Sequence, residues 1–141
     1  MWADDFFLRP EQRTPERLAE PGGNLDRERM KSEVIDRLSA DALSYTPFDC
    51  GVMDFGSPVE LPPARLTIVE GAYSLHPYFG EYYDLAVFGT ADLETRLARI
   101  GARPGHNNVE MFRKRWIPME ERYLSACEVE ARSNLVIDTT K

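Results

Sequence analysis

A few carboxylates, an arginine triplet and three rings carry the chemistry this sequence could do. In LTIVEGAYSLH (Leu66 to His76) an apolar, β-branched run ends in one acid, Glu70, and then Gly71. That is the pattern of a buried strand delivering a carboxylate to the end of a sheet before a sharp turn. Ligands of α/β proteins bind at the carboxyl ends of parallel strands; a core strand that simply ends in a solvated glutamate has the same pattern. Asp4 and Asp5 follow Trp2–Ala3 at what reads as the end of a second strand, and successive strand residues point to opposite sides, so one of the two faces a site. Asp26 stands where it can cap the next helix. Arg96, Arg99 and Arg103, at i, i+3 and i+7, share one helix face, which suits either a polyanion or plain solvent. Tyr45 and Phe48 are aromatic groups in a turn-rich segment, and His76 precedes Pro77.

The elements that must position these groups alternate in type. The spacing predicts a strand stump at residues 2–4 and a proline-rich loop over 9–23 with one helical turn near Thr14–Ala19. A helix follows from Asp26 to Leu38, burying Met30, Val34 and Leu38. Residues 44–63 read as two short strands joined by a turn near Gly51. Strands are expected at 66–70, 84–89 and 134–138, and residues 76–83 form a loop or short helix. A helix from Thr90–Asp92 buries Leu93, Leu97 and Ile100 and is broken at Pro104–Gly105, with a chain turn at 106–108. A longer helix runs from Val109 to about Cys127, kinked at Pro118, with Trp116 and Tyr123 in the core. Strands alternating with helices predict an α/β fold with a parallel sheet.

The 141 residues suit one domain. A net charge of −7 leaves no cationic excess to neutralise phosphates, which excludes a general nucleic-acid binder. Only three of the 17 basic residues are lysines (Lys31, Lys114, Lys141), a bias that suits bidentate phosphate contacts and that a GC-rich gene would also produce. Cys50 and Cys127 lack metal-ligand spacing and read as free thiols of a reducing compartment. With no long apolar run, a cytoplasmic protein with no membrane partner is expected.

DDFFLRPEQRTPERLAEPGGNLD, SYTPFDC, IVEGAYSLHP and RKRWIPMEERY, in this order, resemble the uridine-kinase-like branch of the P-loop nucleoside and metabolite kinases over essentially the whole chain. The resemblance implies transfer of the ATP γ-phosphoryl group to a hydroxyl of a small-molecule nucleoside or similar acceptor, with Mg²⁺. By it, Asp4 is the general base and Glu70 the Mg²⁺ carboxylate. Asp26 contacts the ribose, Tyr45 and Phe48 wall the base, and His76 reaches the acceptor pocket. Arg96, Arg99 and Arg103 line a lid over the phosphates (about residues 92–108), with Arg99 and Arg103 taking the catalytic part. The acceptor and β-hairpin flap region is about residues 9–63.

One part of that pattern is absent. The phosphate-binding motif G-x-x-x-x-G-K-[ST] does not occur, since none of the three lysines follows a glycine. The resemblance therefore implies a single partial P-loop kinase domain over 1–141, with helices on both faces of the sheet, lacking the first, central strand and first helix. Such a chain is truncated, weak or inactive alone, and open to self-association through unpaired sheet edges. A binding module derived from such a kinase, or a sister kinase for another hydroxyl, would share these residues.

Overall fold

A computed structural model describes residues 1–40, 42–103 and 108–140. The chain divides into two compact units, Met1–Tyr82 and Tyr83–Lys141. The architecture is mixed α/β with short strands, a small parallel sheet and several helices.

In the first unit, Trp2 forms a parallel bridge with Glu70, after which a 3₁₀ turn, Ala3–Phe6, carries both aspartates. The acids thus sit on a tight turn, not at the end of a longer strand. Phe6 to Leu8 then runs antiparallel to Asn24–Asp26: Leu8 N donates to Asn24 O (3.0 Å) and Asp26 N to Phe6 O (2.7 Å). Between these segments the chain makes a 3₁₀ turn, Pro10–Gln12, and the short helix α1 (Pro15–Ala19), whose cap Thr14 accepts from Arg17 N. Helix α2 (Arg27–Glu33) begins at the cap Asp26 and ends earlier than its apolar spacing predicts. The β-branched pair Val34–Ile35 disfavours further α-helix, and the chain tightens into a 3₁₀ turn, Ile35–Arg37, that buries Ile35 as well as Val34 and leaves Leu38 only half-buried.

Two antiparallel ladders follow. Strand β1 (Leu43–Tyr45) pairs with β4 (Val59–Leu61), and β2 (Phe48–Asp49) with β3 (Asp54–Phe55), in registers Tyr45↔Val59 and Phe48↔Phe55. Gly51 and Gly56 here have the glycine spacing of a phosphate loop, but Ser57 follows where a lysine is required, and the segment joins antiparallel strands instead of a strand to a helix.

The segment 66–69 differs from the buried strand its composition predicts. It forms no ladder, and Leu66 and Ile68 are 76% and 66% exposed. An apolar strand is buried only where neighbours and a covering layer exist. Here the backbone pairs on one side alone, through Met1 N to Ile68 O (3.2 Å), Glu70 N to Met1 O (3.0 Å) and Ala3 N to Glu70 O (2.7 Å). Gly71 then turns at φ +128°, against Ala3.

In the second unit, β5 (Val87–Thr90) and β6 (Leu135–Asp138) pair in parallel, Val87↔Leu135 to Thr90↔Asp138. β5 starts three residues later than expected: Ala86 N donates to the Asn134 side chain (2.8 Å), which stands in for a ladder partner. Parallel strands need a long crossover. It comprises α3 (Leu93–Ala102), α4 (Val109–Met111), a π-helical turn Phe112–Trp116, α5 (Ile117–Ala126) and α6 (Val129–Arg132). Leu97, Ile100 and Ile117 form its core, with Val109 and Phe112 packed on them. Leu93, in the first turn of α3, stays 41% exposed. A proline ring in an α-helix collides with the carbonyl four residues back. A π-helical turn stands just before Pro118 and α-helix continues through the proline. Residues 104–107, the expected helix break and part of the expected lid, lie outside the described residues. Among the described residues no helix is long and apolar enough to cross a membrane.

Gly71 offers a direct test of the 1–3/68–70 pairing. A Cβ there would stand 2.9 Å from Ala3 Cβ at a φ that L-residues avoid, whereas Gly80 (φ +69°) has open space around it. Gly71→Ala should cost about 2–3 kcal/mol in urea unfolding and Gly80→Ala about 1 kcal/mol. Equal midpoints for the two variants would refute the pairing.

Candidate functional site

The predicted acceptor-side residues come together within Met1–Tyr82, and Arg29, which the sequence reading passed over, is what joins them. The antiparallel run 6–8/24–26 sets the cap of α2 beside the acidic turn. Asp26 is 6% exposed; its Oδ1 accepts from Arg29 N (3.1 Å) and its Oδ2 from Gln12 Nε2 (3.0 Å). A carboxylate has about four lone-pair sites, so capping leaves capacity for a ligand hydroxyl. Asp26 lines a depression of about 330 Å³ with Leu8, Gln12, Arg17 and Glu28.

From one turn into α2, the Arg29 guanidinium reaches three segments. Nη2 donates to Asp5 O (3.0 Å), and Nη1 to Thr46 O and Glu33 Oε2 (3.3 Å for the latter). Its Cζ lies 4.5 Å from the Phe6 ring centroid and 4.9 Å from that of Phe55. Burial pushes this arginine's pKa down, while Glu33 and Asp26 push it back up.

Asp5 and Asp4 divide their roles. Asp5 Oδ2 accepts from the Tyr45 hydroxyl (2.8 Å), so that acid is committed to the interior. Asp4 is exposed on the same turn, and its charge acts on the Cys50 thiol. Glu70, also exposed, is joined to the residue before Asp4 by the Ala3–Glu70 hydrogen bond, which sets the two carboxylates at the paired ends of adjacent segments. Among the described residues no three His, Cys, Asp or Glu side chains gather as a metal group. Glu70 can offer one ligand, which fits a Mg²⁺ that takes most of its shell from water and phosphate.

The rings are less open than base-stacking requires. Tyr45 and Phe48 are 6% and 4% exposed; Tyr45 packs on Phe6 (centroids 5.3 Å apart), and Arg13 lies over Phe48 (5.6 Å). His76 is buried, with Nε2 3.2 Å from Pro21 O and Nδ1 accepting from Tyr78 N (3.1 Å). Its ring therefore ties the 3₁₀ turn Pro77–Phe79 to the loop before Asp26. Burial holds its pKa below the usual histidine value.

The three predicted lid arginines belong to the other unit. Arg96 pairs with Glu120 (3.0 Å) and Glu121 (3.1 Å) on α5. Arg99 donates to Thr139 Oγ1 (2.9 Å) and to Thr139 O just past β6. Arg103 is not on the helical face. As the extended C-cap of α3 (φ −76°, ψ 131°) it has the conformation that the following Pro104 imposes.

Burial first, and the hydrogen bond to Asp5 second, push the Tyr45 phenol up to about 12 from 10. The folded state thus holds this proton more tightly than the unfolded chain. Its contribution is complete below pH 10 and disappears as pH rises toward 12. Tyr45→Phe should cost about 1 kcal/mol at neutral pH and flatten the alkaline loss of stability in that window. An unchanged slope would refute the Tyr45–Asp5 bond.

No protein-family model matches this sequence, and no curated protein matches it. Among solved structures, a possible uridine kinase from Bacillus stearothermophilus superposes with a TM-score of 0.71 at 17% identity, over 98% of this chain and 70% of that one. At that identity the likeness establishes the fold alone: this chain shares the α/β fold of that structure.

Proposed function

We propose that the chain carries the acceptor-binding machinery of an ATP-dependent kinase for a nucleoside-like hydroxyl compound. The observation that carries this reading is the buried Asp26 carboxylate, oriented by Arg29 N and Gln12 in the lining of a depression. Such a group recognises a diol: two vicinal hydroxyls can donate to its remaining lone pairs while the fixed backbone keeps it from turning away. The fold shared with a possible uridine kinase agrees with it.

In this reading Asp4, exposed on the turn that Arg29 fixes, accepts the proton of the attacking hydroxyl. Asp5, held by Tyr45, keeps that turn in place. Phosphoryl transfer is chiefly positioning and charge stabilisation, and ATP with Mg²⁺, held in part by Glu70, supplies the phosphoryl group. The second unit is read by itself: the resemblance makes its Arg99 and Arg103 donors for phosphate, and its Arg96 is braced by two glutamates. These 141 residues contain no glycine-rich lysine loop, so nucleotide binding by them alone is weak.

Calorimetry on the chain tests both halves. Uridine should bind, and Asp26→Asn should weaken it about tenfold or more, as expected for loss of a charge-assisted hydrogen bond. Mg²⁺–ATP should show no micromolar binding. Uridine binding indifferent to Asp26→Asn would overturn the acceptor reading; tight ATP binding would overturn the requirement for the absent loop.

A second reading, a non-catalytic module whose exposed apolar edge engages another strand, is favoured by Leu66 and Ile68, whose side chains stand in solvent. Light scattering separates the two. A monomer at all concentrations argues against the module, and a stable oligomer indifferent to uridine argues for it.

A further inference from the structure

Three arginines stack on rings beside the hairpin, and they differ in what else they hold. The outer nitrogens of Arg29 are committed to Asp5, Thr46 and Glu33. Arg9, over Phe55 at 5.3 Å, pairs with Glu11 (3.1 Å). Arg13 is different. Its Nε donates to Leu8 O (2.8 Å) and its Cζ lies over Phe48, while Nη1 and Nη2 have no hydrogen-bond or ion-pair partner among the described residues. The side chain is half-buried, so much of its rotamer freedom is already lost in the folded chain. Leu8, which anchors it, and its neighbour Gln12 both line the Asp26 depression.

A guanidinium fixed at Nε and stacked on a ring, with its outer fork open, is the geometry that takes an oxyanion bidentately. Its position relative to the acids is also marked. The Cys50 thiol is raised chiefly by burial, then lowered by Arg13 and raised by Asp4 and Asp49, so the field of Arg13 reaches the hairpin turn.

We infer that Arg13 binds an anionic group, a carboxylate or phosphate, on the acceptor, so that the preferred acceptor is an acidic hydroxyl compound. This rests on the acceptor reading of Met1–Tyr82.

The test is calorimetry on the full chain with uridine, with orotidine (the same nucleoside bearing a ring carboxylate) and with uridine bearing a ring phosphonate at C5, both of which keep the vicinal diol, at low and high salt. At least one anionic ligand should bind about tenfold tighter than uridine at low salt. Which of the two does so separates a carboxylate site from a phosphate site. The advantage should shrink as salt rises, and vanish in Arg13→Gln with uridine affinity unchanged. Arg13→Lys should keep part of it. No anionic preference in the natural chain, or an equal loss for neutral and anionic ligands in Arg13→Gln, overturns the inference. If uridine binds in an Asp26-dependent way while Arg13→Gln changes nothing, the acceptor reading stands and the Arg13 inference alone fails. If no ligand binds at all, both fail.

Discussion

One buried cation organises the first unit. The Arg29 guanidinium bonds to the carbonyls of the acidic turn and of the segment after β1, pairs with Glu33, and lies against Phe6 and Phe55. Burying a charge costs several kcal/mol unless partners replace its water, so the three chain segments it touches are held together by the requirement to solvate it. This is why the turn bearing Asp4 and Asp5, the cap Asp26 and the hairpin share one location. Asp26 belongs to the same arrangement twice, accepting from the Arg29 backbone and lying 3.9 Å from its Nε.

How much of this was legible in the sequence depended on range. Local signals read well: Asp26 as a helix cap, α1 within the proline-rich loop, and turns at Gly71 and near Gly51. β6 falls within a residue of its expected start. Signals that depend on cover read badly. Leu66–Val69 has the composition of a buried strand, but burial belongs to neighbours and not to the strand itself. Leu93 has helical spacing yet falls outside the packed cluster. Of the site, the acids were visible because their motif is local. Arg29 was not, because nothing in RERMKSE distinguishes an arginine that turns inward from the surface arginines beside it. Gln12 and Arg13 were hidden likewise in a loop whose composition indicates only turns.

Both units use arginine in two ways. Arg9, Arg13 and Arg29 in the first and Arg115 in the second lie on aromatic faces, which accept a cation without competing for its donors. Arg17 and Arg27 in the first and Arg96 in the second pair with glutamates, and Arg99 bonds to a threonine. Stacking keeps donor capacity for a ligand where the fork is open, and pairing commits it to packing.

The Arg99–Thr139 tether closes a circuit within the second unit. Two of the five guanidinium donors fasten α3 to the segment just past β6, and Thr139 N donates in turn to Thr90 O at the end of β5. The helix that leaves β5 is thereby held at the same end of the sheet where β6 finishes, so the first helix of the crossover and the last pair of the ladder are secured by one residue.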